Sequence, residues 1–193
     1  ILDSMLELLA EKKGESCSVS EIAKKAGIAK GGMYYYFKSK EEVFDALVER
    51  TYQTIIDDCQ KIASATEKNA IEKLKHVYIH YRSSIVSSDL DAYLHKPQNA
   101  GIHQKSLAKI LTSLSPIIAQ IIEQGNEEGV FHCRYPLELS ETILSVFCFL
   151  LDPGIFTWTP EQIERKLTIL VSILESELGV PKGCIDFLSN SYR

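Results

Sequence analysis

Residues 18–40, Ser-Val-Ser-Glu-Ile-Ala-Lys-Lys-Ala-Gly-Ile-Ala-Lys-Gly-Gly-Met-Tyr-Tyr-Tyr-Phe-Lys-Ser-Lys, restrict the fold more than any other stretch, because they specify two short helices meeting at a set corner. Ser18 with Glu21 is a capping box, in which each side chain accepts a backbone N–H near the other residue, so a helix starts here. Ile22, Ala23 and Ala26 give it an apolar face. Gly27 stands where the chain must turn left-handed, so the helix is predicted to end at Ala26. Ile28 fills the corner, the small Ala23 lets the backbones approach, and Met33 with Tyr36 or Phe37 gives the second helix an inner face. Ser39 with Glu42 is a second capping box that opens a third helix. Such a pair, followed by Lys38 and Lys40, can place one helix in a DNA groove. The same corner occurs in helical bundles with no nucleic-acid role, and spacing alone leaves both readings open.

Charge sharpens the choice. The chain of 193 residues carries a formal net charge of −5, which argues against indiscriminate coating of nucleic acid. Between Ser18 and Lys40, however, Lys24, Lys25, Lys30, Lys38 and Lys40 stand against Glu21 alone, so the positive field is local. Five scattered cysteines, Cys17, Cys59, Cys133, Cys148 and Cys184, form no Cys-x-x-Cys pair and predict reduced thiols in a cytoplasmic protein. No apolar run approaches the roughly 20 residues of a membrane span, so no membrane partner is expected. The chain opens at Ile1 already inside a helical pattern, and a start Met with an upstream arm is expected ahead of it.

The stretch resembles the DNA-binding domain of the TetR-type transcriptional regulators. Ile22-Ala23, Ala26-Gly27-Ile28, Gly31, Met33-Tyr34-Tyr35-Tyr36-Phe37 and Lys38-Ser39-Lys40-Glu41 carry the likeness, over about a quarter of the chain. The resemblance implies base-edge contacts from Ser20 and Lys30 and phosphate contacts from Ser18, Tyr34, Tyr36, Lys38 and Lys40, with Tyr35 serving either purpose. It implies close backbone approach at Gly31 and Gly32. The alternative for the tyrosines is core packing. Two residues depart from the pattern: Ala29 replaces a Ser or Thr cap, so the recognition helix should fray, and Gly32 replaces a side chain that often reaches DNA.

The remaining chain reads as helices without any alternating strand pattern. Residues 1–13 make an amphipathic helix that Gly14 ends. A helix from Lys40 to about Ile62 keeps one apolar face, and Asn69 caps the next. Residues 87–101 read as a short helix plus loop. A long helix from His103 meets Pro116, which predicts a kink or a fresh start capped by Ser115, and Gly125 and Gly129 close it. Helices over about 137–151 and 160–178 follow, the second capped by Thr159. The expected fold is therefore all-α: a three-helix helix-turn-helix DNA-binding domain over 1–46, then a larger helical ligand-binding and dimerisation domain over 47–193.

The helix at 137–151 is apolar nearly all round, which predicts a homodimer bundle through Phe147, Leu150, Leu167, Leu170 and Leu174. Burial of both helices within one subunit is the alternative. Tyr78, His80, Tyr81, Tyr93 and His103, set among Ile and Leu, are expected to line a pocket for a small apolar or amphipathic effector. No catalytic arrangement surrounds the histidines. His76 and His80 lack a companion ligand, so no enzyme activity, cofactor or metal is expected. The reading is a homodimeric regulator, a repressor of a palindromic double-stranded DNA operator released by a small molecule. A helix-turn-helix used for protein contact, or a sensor without an operator, is the alternative.

Overall fold

The computed structural model describes residues 1–11, 17–85 and 89–190, so the expected stop at Gly14 and the start of the loop at 87 lie outside the described residues. All regular elements among the described residues are helices: α1 (Leu2–Glu11), α2 (Val19–Lys25), α3 (Lys30–Tyr36), α4 (Lys40–Ser64), α5 (Ala70–Ile85), α6 (Asp89–Leu94), α7 (Ala100–Glu127), α8 (Pro136–Ser145), α9 (Pro160–Leu178) and α10 (Phe187–Asn190). They form two compact units, Ile1–Ile55 with Ser83–Ser106, and Ile56–Arg82 with Leu107–Arg193.

The first unit contains the predicted head together with residues from much later in the chain. Met5 and Leu9 of α1, Ile22 of α2, Met33 of α3 and Val43, Phe44 and Leu47 of α4 are fully buried. Leu90, Tyr93 and Leu94 of α6 are buried as well, and the Tyr93 ring meets Phe44 edge-on at 4.6 Å. This aromatic pair, with α6 packed on α1, explains why 83–106 join the head, a grouping the expected division after residue 46 did not contain.

In the second unit, α5 opens on a reciprocal cap: Asn69 Oδ1 accepts the Glu72 N–H at 3.0 Å, and the Glu72 carboxylate accepts the Asn69 N–H at 3.1 Å. Lys73 is buried, and its ammonium donates to the Ala63 carbonyl at 2.7 Å and to Gln124 Oε1 at 2.6 Å. A buried cation is tolerable only with such partners, and this one also satisfies an orphan carbonyl in the last turn of α4.

α7 runs through Pro116 without a fresh start, which settles the choice the sequence left open. Ser115 does not cap a new helix; its hydroxyl donates back to the Leu111 carbonyl at 2.5 Å. Gly125 does not end α7 either. Phe131 folds back over it, and a Cβ there would lie 1.9 Å from Phe131 Cδ2, so the residue is glycine for close packing. The helical stretch ending in α7 is by length and mean composition apolar enough to cross a membrane, but more than half of its most apolar window is buried inside the protein. Leu114, Ile117, Ile121 and Ile122 account for that composition as core residues.

α8 ends in a π turn over Val146–Leu150, closed by Leu151 N–H donating to the Val146 carbonyl at 2.9 Å. The indole N–H of Trp158 takes the Leu150 carbonyl at 2.7 Å. α9 begins as predicted, with Thr159 and Gln162 forming a full capping box.

Candidate nucleic-acid interface and ligand cavity

The helix-turn-helix forms as the spacing requires. Ser18 accepts the Glu21 N–H at 3.2 Å and donates its own N–H to the Glu21 carboxylate at 2.7 Å. Gly27 adopts φ 68°, and Ile28 N–H closes the turn on the Ala23 carbonyl at 3.0 Å. Ala29 sits at the N-cap of α3 with no side-chain cap, as its methyl dictates. Ser39 accepts the Glu42 N–H at 3.2 Å, and the Glu42 carboxylate reaches the Lys38 N–H.

Of the residues named for DNA contact, Ser18, Ser20, Lys30, Gly31, Tyr34, Tyr35, Tyr36 and Lys38 are exposed, and Gly32 and Lys40 are half-buried. Tyr35 is 84% exposed and Tyr36 66%, so Tyr36 is not the inner-face residue of α3; Met33 and the half-buried Phe37 are. A Cβ at Gly31 or Gly32 would meet nothing within 4 Å, so neither glycine is needed for packing. Lys25 drops out of the local positive field. It bonds Glu11 at 2.6 Å and Glu7 at 3.1 Å, contacts that raise its pKa and brace α2 against α1. Only the tertiary fold brings those two glutamates from α1 to the lysine.

In the second unit a small apolar cavity of about 70 Å³ lies between α5, α7, α8, α9 and the C-terminal segment. Tyr78 and Tyr81 line it as expected, with Leu114, Ile118, Phe147 and Leu178 among the aliphatic and aromatic walls. No lining side chain is charged. Both tyrosine hydroxyls are engaged: Tyr78 donates to the Leu188 carbonyl at 2.9 Å, and Tyr81 lies 3.8 Å from Cys148 Sγ. The other three residues named for the pocket are not on its wall. His80 lies 3.7 Å from Asp58 on α4. Tyr93 is core of the first unit against Phe44, and His103 is buried there against the His95 ring at 4.8 Å. Ile185, Phe187 and Leu188 complete the lining, and no spacing in the sequence marked them.

The residues expected at a dimer face also need correction. Leu167, Leu170 and Leu174 are at most 5% exposed within the subunit, so they have almost no surface left to offer a second copy. Phe147 is half-buried and lines the cavity, where its ring meets Tyr78 at 5.7 Å; Leu150 is exposed. The exposed apolar residues of α9 are instead Ile169 (63%) and Ile173 (52%). The inward stripe Leu167, Leu170, Leu174 and Leu178 is complete without them, and that leftover i, i+4 pair was the available signal.

Burial pushes the Cys59 thiol up to about 12 and the Cys148 thiol up to about 11, and it raises Cys133 and Cys184 too. A raised pKa leaves less of the thiolate, the reactive form, at neutral pH.

Residues 1–47 match the model of the bacterial regulatory proteins of the tetR family, and residues 84–173 match the Tetracyclin repressor-like C-terminal domain. The chain is 27% identical over 184 residues to the fatty acid metabolism regulator protein of Bacillus subtilis, covering 91% of this chain and 90% of that one. It is 24% identical to the HTH-type transcriptional repressor KstR2 of Mycobacterium tuberculosis, over 82% and 76% of the two chains. The fold is similar to that of FadR from Bacillus subtilis, solved in complex with stearoyl-CoA, with TM-score 0.60 and 22% identity over 99% of this chain and 92% of that one. With a solvent-facing helix-turn-helix under the first family model and a helical body under the second, the chain belongs to the TetR family and is a DNA-binding transcriptional regulator.

Proposed function

We propose that the protein is a cytoplasmic, homodimeric repressor that binds a palindromic operator and is released by a ligand with an uncharged apolar tail. A long acyl chain is the first class to test. The observation that carries the ligand half is the cavity wall: it offers apolar side chains and two tyrosines with committed hydroxyls, and no charged group. Such a wall selects for apolar area rather than for a headgroup. The similarity to a fatty acid metabolism regulator supports the same class.

The DNA half rests on α3. Lys30, Gly31, Tyr34 and Tyr35 face solvent, and packing requires none of them there. In this reading Ser20 and Lys30 meet base edges and Ser18, Tyr34, Tyr36, Lys38 and Lys40 meet phosphates, while Gly31 and Gly32 allow close backbone approach. A two-fold dimer sets the half-sites about 34 Å or slightly more apart. α4, α5 and α7 each supply residues to both compact units, α4 changing over between Ile55 and Ile56, so they are the covalent paths between cavity and DNA-binding head. A ligand that prefers the non-binding state by about 3 kcal/mol lowers operator affinity roughly a hundredfold.

The test is a gel shift on DNA upstream of the protein's own gene, with and without long-chain acyl-CoA. Specific binding should fall steeply with salt, Lys40→Ala should weaken all sequences about equally, and acyl-CoA should release the complex. No shift on any upstream fragment overturns the DNA half, and unchanged affinity across an acyl series overturns the ligand half.

A further inference from the structure

We propose that residues 180–190 are a detachable lid on the apolar cavity, latched by Glu175 and Tyr78 and released to admit the ligand; this rests on reading the cavity as the effector site. Four of its walls belong to helices of 10 to 28 residues, which cannot leave without unfolding the second unit. The fifth wall is different. It consists of Ile185, Phe187 and Leu188 on a segment whose only helix is the four-residue α10.

The segment satisfies much of its own backbone. Cys184 N–H donates to the Pro181 carbonyl at 3.2 Å, Leu188 N–H to Ile185 at 3.1 Å and Ser189 N–H to Asp186 at 3.0 Å, so these turns survive if the segment lifts. It is joined to the rest of the unit by packing, with Ile185 buried and α10 against α9, and by specific polar bonds. Gly183 N–H donates to Glu175 Oε1 at 2.6 Å, the Tyr78 hydroxyl donates to the Leu188 carbonyl at 2.9 Å, and the Phe187 ring rests on Tyr78 at 6.0 Å. Glu175 is the notable member. It is a buried carboxylate on α9, and a permanent wall would be more cheaply sealed by an apolar side chain. A polar latch holds the lid while closed and is rehydrated when it opens. The segment leaves α9 at Gly179, in the left-handed conformation, with Pro181 two residues on, which confines bending to that point. A short segment joined at one hinge can open locally at less than the cost of global unfolding.

Hydrogen exchange on the full chain, with stopped-flow binding of the fluorescent fatty acid cis-parinaric acid, tests this. Amides of 183–190 should exchange at least a hundredfold faster than those of 117–122 in α7. Glu175→Gln, outside the cavity wall, should speed probe association and dissociation together by roughly threefold to tenfold, the worth of one hydrogen bond, with Kd nearly unchanged. Segment amides exchanging no faster than α7 overturn the lid. So do association and dissociation rates left unchanged by Glu175→Gln. If the probe binds neither the wild type nor Glu175→Gln, the effector reading falls, and the exchange rates alone decide whether the segment opens.

Discussion

We place the contact of the proposed homodimer on the exposed apolar face of α9, where Ile169 and Ile173 stand, and the consequence of charging them follows from their exposure. Burying a whole isoleucine side chain is worth about 2.5 kcal/mol. With 63% of Ile169 and 52% of Ile173 still open to solvent, a second copy recovers about 1.6 and about 1.3 kcal/mol from them. Two-fold symmetry doubles this to nearly 6 kcal/mol, which corresponds to roughly four decades in the dimer dissociation constant. The double variant Ile169→Glu, Ile173→Glu should therefore be a folded monomer in sedimentation at micromolar concentration, with the circular dichroism of the wild type, because neither site is core. Leu170→Glu, one residue away, should instead lose the fold, since its charge would lie in a site 5% exposed. A double variant that still sediments as a dimer, beside a wild-type dimer, would refute the placement. A wild-type monomer would refute the dimer itself.

Three other substitutions probe the reading more locally. Ala29→Ser should add the cap that α3 lacks, about 1 kcal/mol and roughly 2–4 °C in Tm, measurable by thermal melting. Gly125→Ala should destabilise by about 1–3 kcal/mol in urea, because displacing the Phe131 ring outweighs the helix gain of about 1 kcal/mol; Gly101→Ala, with nothing within 4 Å of its Cβ, should be neutral or stabilising. Glu161 is held below the usual carboxylate range by its bonds to Thr159 and to its own backbone amide. Its contribution is thus present above the ordinary value of 4.5 and is lost as pH falls through the lower folded value. Acid melts of Glu161→Gln should show a shallower decline than wild type below about pH 4.5, and an identical decline would show that the carboxylate plays no part.

The helix-turn-helix was legible from its residues because every determinant is local. A capping box, a left-handed glycine and a short apolar face act over three or four residues, and Ser18, Glu21, Gly27 and Ile28 adopt the conformations their chemistry allows. The cap of α9 at Thr159 was legible for the same reason. Residues whose partners lie far away in sequence were not. Tyr93 matched the pocket in composition, yet packs on Phe44, 49 positions earlier, because the fold returns residues 83–106 to the first unit. Lys25 counted as DNA-facing charge until α1 brought Glu7 and Glu11 to it. Apolar periodicity marked α9 as a bundle helix but could not say which of its apolar residues the subunit covers, since Leu170 and Ile169 are alike to a hydropathy pattern and differ only in what packs against them. The sequence by itself determined the helices, the caps at Ser18 and Thr159 and the helix-turn-helix corner at Gly27. The tertiary structure decided which apolar face is core, which is surface and which encloses a cavity, because burial depends on long-range contacts that no local spacing encodes.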